Sequence, residues 1–184
     1  QAKAEEIYAR ACDNAGLLPM CESTKVLVTQ AMIQLQAIEE SLATLQNEMQ
    51  RLSSSLPEYD TVLSLYGVGR VLGSQLIAEI GNVCRFESKK SLIAFAGIDA
   101  PPYQSGTVNV QSRSISKRGS ALLRKTLFQV MSVILQNAPA DEPVYTYLDR
   151  KRSEGKPYKV YMIAAANKFL RIYYARTKLA LVNT

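Results

Sequence analysis

The chain has 184 residues, 47% of them hydrophobic, with a net charge of +6. That is enough apolar material for one good core, and no run approaches the roughly 18 apolar residues of a membrane span, so the sequence predicts a soluble cytoplasmic protein with no membrane partner. Histidine is absent and the three cysteines, Cys12, Cys21 and Cys84, are odd in number and lack Cys-x-x-Cys spacing, which argues against a zinc site or a disulfide framework and predicts buried thiols.

The charge is unevenly distributed. Residues 1–84 hold 5 Lys/Arg against 10 Asp/Glu, whereas residues 85–184 hold 17 against 6. So large an excess of positive charge suits a polyanion, because counterions released from a phosphate backbone favour association. A solvated basic surface is the plainer alternative.

Residues 1–22 read as a short helix ending near Gly16, then a turn through Pro19. The chain opens at Gln1 in helix-like sequence without an initiator methionine, so an upstream segment is expected. From Ser23 to Leu56 apolar residues recur at Val28, Ala31, Leu35, Ile38, Leu42, Leu45, Met49, Leu52 and Leu56, alternating steps of three and four over four heptads. This is a coiled-coil seam, and it predicts homo-oligomerisation or pairing with an antiparallel helix. A helix lying on its own domain remains the alternative. Pro57 marks its end.

Val62, Leu65, Gly67, Val68, Gly69, Gly73, Leu76 and Ile77 fit the spacing of a helix-hairpin-helix motif. Glycines at 67 and 69 allow a tight turn and leave the first amides of the next helix facing outward, where a phosphate oxygen can sit. Gly73 permits close helix approach, and Arg70 adds a charge. A plain αα-hairpin with a glycine turn is the competing reading. Leu92, Phe95, Gly97 and Ile98 repeat the front half of the pattern, but Asp99 replaces the second glycine and Pro101 and Pro102 open the chain into a loop. In that loop, residues 101–116, Val108 and Val110 predict a short extended ribbon.

A helix is expected from about Ser116–Ser120 to Asn137, with Leu122, Leu123, Leu127, Val130, Met131 and Ile134 as its core face. Lys117, Arg118, Arg124 and Lys125 would crowd its first two turns, where the helix dipole disfavours cations unless an anion lies among them. Residues 138–157 read as a turn-rich basic segment, and a last helix, about Tyr158–Leu181, is expected to bury Val160, Ile163, Ala164, Leu170 and Tyr173. The fold class predicted is all-α: residues 1–22 a helix and linker, 23–56 a coiled-coil helix, 57–184 a compact helical domain with the hairpin motif.

The loop is rich in hydroxyls: Ser105, then Ser112, Ser114 and Ser116. A serine is a nucleophile at neutral pH only with help from a base, cations or a metal. Gly106 would admit a bulky phosphodiester, and Arg113, Lys117, Arg118 and Arg124 could stabilise charge on a pentacoordinate phosphorus. Composition does not separate Ser105 from its neighbours.

A resemblance does. The run GVGRVLGSQLIAEIGNVCRFESKKSLIAFAGIDAPPYQSGT, followed by SISKRGSALLRKTL, resembles the C-terminal domain of transposases of the insertion sequence 110 family, also called the 116/110/902 family, over about residues 60–178. The resemblance implies a site-specific DNA recombinase whose serine in the Ser-Gly step, here Ser105, attacks a phosphodiester and holds the DNA end as a phosphoserine. It further implies an upstream ribonuclease-H-like domain whose carboxylates hold Mg2+, and a structured guide RNA as partner. Thr107 stands where members often have a second glycine. The acidic residues of this chain form no replacement tetrad, so no metal or other cofactor is expected within it, and by itself it should bind DNA without cutting it. The alternatives are a non-catalytic helix-hairpin-helix nucleic-acid-binding module and a coiled-coil assembly domain. The DNA-contacting residues expected are Gly67, Gly69, Arg70, Arg113, Lys117, Arg118, Arg124 and Lys125.

Overall fold

The structure, a computed structural model, describes residues 2–14, 21–100, 104–105, 108–109 and 114–182. The architecture is all-α, and the described extended backbone that pairs is a two-residue ladder. The chain divides into two units, residues 1–46 and 47–184.

The first unit holds helix α1, Ala2–Asn14, and most of α2, Glu22–Ser54. At 33 residues, α2 is about 50 Å long. Lys25 pairs with Glu22 at 2.9 Å one turn into the helix. Val28, Leu35, Ile38, Leu42, Leu45, Leu52 and Leu56 are all exposed and Met49 is half-buried, so most of the heptad stripe is uncovered among the described residues.

In the second unit, Pro57 is followed by the short helix α3, Tyr59–Leu63, and then by α4, Arg70–Ile80. The turn between them places Gly67 at φ +79, in the left-handed region that favours glycine. A Cβ there would stand 3.0 Å from Ile134 Cγ1. A Cβ on Gly73 would come within 2.8 Å of Leu63 Cδ2, so the two helices touch at that glycine. Gly81, at φ +62, ends α4, and the Asn82 side chain accepts from Cys84 N to start a 3-10 turn over Val83–Arg85. Ser88 caps α5, Lys89–Ala96, by accepting from Ser91 N, and Gly97 closes it in the left-handed conformation. Strands β1, Gln104–Ser105, and β2, Val108–Asn109, pair antiparallel, Ser105 opposite Val108. Val110 of the expected ribbon lies outside the described residues.

Ser120 caps α6, Ala121–Asn137, and Ala138 at φ 44 closes it before Pro139. The helix begins at the late end of the expected range, so Lys117 and Arg118 precede it instead of lying in its first turns. The segment expected to be turn-rich contains a further helix, α7, Pro143–Ser153, capped by the Glu142 carboxylate accepting from Tyr145 N at 2.6 Å. Proline at its first position needs no amide partner and presets φ, so residues read as turn formers here start a helix. The last helix, α8, Tyr158–Val182, packs against α3, α5, α6 and α7.

The core joins Val62, Leu76, Ile80, Leu92, Ile98, Leu127, Met131, Ile134, Leu148 and Phe169. On α8 the buried face is Met162, Ala165, Ala166, Phe169, Leu170, Tyr173 and Thr177, which includes the expected Leu170 and Tyr173 but is rotated away from the other expected positions: Val160 is 49% exposed, and Ile163 and Ala164 are half-buried. Leu122 of α6 is likewise 62% exposed. Neighbours on several sides of α8 widen its apolar arc until periodicity no longer selects one face. The three cysteines, expected to be buried, are all exposed.

Candidate nucleic-acid interface

The predicted contact residues converge on two places. The first is the start of α4. Gly69 stands at the N-cap with φ −86 and ψ 177, and no side chain caps the helix. Its conformation is open to any residue, and a Cβ there would meet nothing within 4 Å. Among the described residues no steric demand calls for glycine at this position, and the first amides of α4 have no intrahelical acceptor. Arg70 follows, exposed.

The second is a junction where the end of α5 crosses the segment leading into α6. Lys117 N donates to Gly97 O at 3.0 Å and Ser120 N to Phe95 O at 2.7 Å. Between them Gly119 lies so close that a Cβ would fall 1.9 Å from Phe95 O, 2.5 Å from Phe95 C and 2.6 Å from Gly97 N. The Lys-Arg-Gly step is therefore a backbone-on-backbone crossing. Ser116 N and Oγ both donate to Asp99, to its carbonyl at 2.8 Å and to Oδ1 at 2.5 Å. The two ends of the chain that leaves at Asp99 and returns at Ser116 are thus tied together. Ser120 Oγ accepts from Leu123 N and donates to Glu79 Oε2 at 2.8 Å, which fixes α6 to α4.

Around this junction the cations divide. Arg124 is half-buried, and its Nη1 donates to Ala96 O and Gly119 O, each at 3.1 Å. It satisfies one carbonyl at the end of α5 and one just before α6, a bracing role that charge counting did not reveal. Lys117, at φ 55, and Arg118 are exposed, and neither forms an ion pair among the described residues. Lys125, also exposed, borders a cavity of about 190 Å3 with Gln75 and Glu79. An open groove of about 760 Å3 runs along Leu72, Ile115, Arg124, Lys125 and Phe128. Arg113, Gly106 and Thr107 lie outside the described residues, as does the side chain of Ser105, whose backbone belongs to β1. Among the described residues no three carboxylates or cysteines converge where they could hold a metal ion.

Residues 59–145 match the transposase IS116/IS110/IS902 family. The matched span opens at α3 and runs through the α3–α4 hairpin, the α5–Gly119 crossing and α6 into α7. The chain resembles the transposases of this family over that span. It is 21% identical over 171 residues, 93% of the chain and 41% of the relative, to the 43.6 kDa protein of insertion element IS110 from Streptomyces coelicolor. It is 29% identical over 140 residues, 74% of the chain and 43% of the relative, to the pilin gene-inverting protein of Moraxella bovis. With the transposase for insertion sequence element IS1111A of Coxiella burnetii it shares 26% identity over 99 residues, 54% of the chain and 27% of the relative. The chain spans less than half the length of these relatives. Among the described residues no helix is long and apolar enough to cross a membrane.

Proposed function

We propose that this chain is the DNA-binding, serine-bearing part of a transposase, with α2 as its coiled-coil assembly helix and α3–α4 as a helix-hairpin-helix phosphate contact. The observation that carries the DNA contact is Gly69. It stands at an open helix N-terminus with no packing reason to be glycine, and a missing side chain there lets a phosphate approach the amides. Arg70, Lys117, Arg118 and Lys125 supply charge around the domain; Arg113 is assigned to the same surface by the sequence.

In the full-length protein Ser105 is the nucleophile. Its Oγ forms a bond to phosphorus as one deoxyribose oxygen leaves, taking up a proton, and the Oγ proton is lost to a base. The DNA end is then held as a phosphoserine. The Asp99–Ser116 tie supports this assignment, because it anchors the base of the hairpin carrying Ser105 to the rigid α5–α6 crossing. Mg2+ would belong to an upstream carboxylate domain, and a structured guide RNA would select the target.

The test uses full-length protein with DNA and RNA. A covalent protein–DNA adduct on a denaturing gel should form with wild type and disappear in Ser105→Ala. An adduct that persists in Ser105→Ala removes Ser105 from the chemistry. Absence of any adduct, with DNA binding intact, favours a non-catalytic binding module.

A further inference from the structure

A groove of about 570 Å3 lies between the start of α5 and the outer face of α8, bordered by Ser88, Lys89, Arg171, Tyr174 and Lys178, with Glu87 its one acid. We propose that this groove is a second backbone-binding surface, taking the phosphates of duplex DNA. The inference rests on the reading of the chain as a DNA binder and adds a surface that neither the hairpin motif nor the α6 cations include.

Three observations support it. The first is a contrast in how the helices balance charge. On α2 and α7 cations sit beside their own carboxylates, Arg51 with Glu48 at 2.6 Å and Lys151 with Glu154 at 2.7 Å. Residues 158–182 carry Lys159, Lys168, Arg171, Arg176 and Lys178 and no Asp or Glu. Solvated helix faces ordinarily intersperse the two signs, so a helix without any internal counterion leaves that place to a ligand.

The second is preorganisation. Lys178 Nζ donates to Tyr174 Oη at 3.0 Å, and Tyr174 Oη donates in turn to Phe86 O at 3.1 Å. Arg85, one residue before Phe86, lies with Cζ 4.7 Å from the Phe86 ring centre and 4.8 Å from that of Phe95. Lys178 in the groove, and Arg85 beside the same helix start though outside the groove's lining, are thus held in place before any ligand arrives, which lowers the entropy lost on binding. None of Arg85, Lys89, Arg171 and Lys178 has a carboxylate partner among the described residues.

The third concerns which nucleic acid fits. Single strands are gripped by stacking bases on free aromatic faces. Here Phe86 is buried, Phe95 is half-buried and covered by Arg85, and Lys178 Nζ lies over the Tyr174 ring, 5.2 Å from its centre. Cations without an open ring suit a duplex backbone. Spacing agrees: α5 has eight residues, about 12 Å of rise, and Lys117 is bonded to Gly97 at its other end. The two cationic sites therefore lie about one major-groove width apart, a separation of about 12 Å that lets one duplex touch both.

The experiment measures binding of this 184-residue chain to a fluorescein-labelled DNA duplex by anisotropy over a salt series. Arg171→Ala/Lys178→Ala should reduce the slope of log affinity against log salt by about two, and Arg171→Gln alone by about one. Arg150→Ala/Lys151→Ala, which removes two cations already paired with Glu154, should leave the slope unchanged. Circular dichroism must show each variant folded. An equal fall in the control, or an unchanged slope in the Arg171 and Lys178 variants while Lys117→Ala/Arg118→Ala lowers it, overturns this surface but not DNA binding. A slope loss seen with an RNA duplex and not with DNA also overturns it. Failure of the wild-type chain to bind duplex DNA overturns both this surface and the DNA-binding reading.

Discussion

Substituting Gly119 by alanine tests the α5–α6 crossing more sharply than any change in the apolar core. The added methyl would stand 1.9 Å from Phe95 O and 2.6 Å from Gly97 N, both backbone atoms that no rotamer change can move aside. The segments must separate, and separation stretches the bonds from Lys117 N to Gly97 O and from Ser120 N to Phe95 O. Overpacking costs about 1–3 kcal/mol, and each weakened hydrogen bond about 0.5–1.5 kcal/mol. The sum, about 2–6 kcal/mol, is a large share of the roughly 5–15 kcal/mol that holds an ordinary domain folded. Gly69→Ala is the matched control, because its Cβ would meet nothing within 4 Å and φ is −86. Restricting the unfolded chain there should leave stability unchanged or raise it by up to about 1 kcal/mol. Urea unfolding followed by far-ultraviolet circular dichroism gives both values. A Gly119→Ala protein within about 0.5 kcal/mol of wild type, the usual range for surface changes, would refute the crossing as described. If Gly69→Ala also keeps its stability while losing DNA affinity, the two glycines separate cleanly into packing and binding.

Two other outcomes are expected. Ser120→Ala removes both the acceptor for Leu123 N and the donor to Glu79, so thermal or urea unfolding should show a loss of about 1–2 kcal/mol; Ser120→Asn should recover more than Ser120→Asp, whose carboxylate would face Glu79. Tyr173 is buried in the core, and burial, with the Glu58 carboxylate adding to it, raises its phenol well above the ordinary 10.0. The folded state then keeps a proton that the unfolded state loses, so this contribution to stability is complete below pH 10 and declines above it, by about 1.4 kcal/mol per pH unit. Tyr173→Phe should flatten that alkaline limb in urea titrations, and an unchanged limb would show that another group controls it.

What could be read from the sequence was what neighbouring residues decide among themselves. The heptad steps of residues 28–56 specify one long helix, the left-handed glycine at 67 makes the α3–α4 turn, and Gly73 lets the two helices touch; each depends on contacts a few residues apart or on backbone freedom. The family resemblance rested on the same short motifs. It was the tertiary structure that decided how the charged and small residues between those motifs are used. Arg124 looked like one of four equal cations, yet the end of α5 turns its guanidinium inward onto two carbonyls. Gly119, which no periodicity marks, is required because Phe95 passes against it from a helix more than twenty residues earlier. The exposed cysteines and the rotated face of α8 escaped for the same reason. Burial is set by which segments meet in space, and a pattern read along one segment does not contain its neighbours.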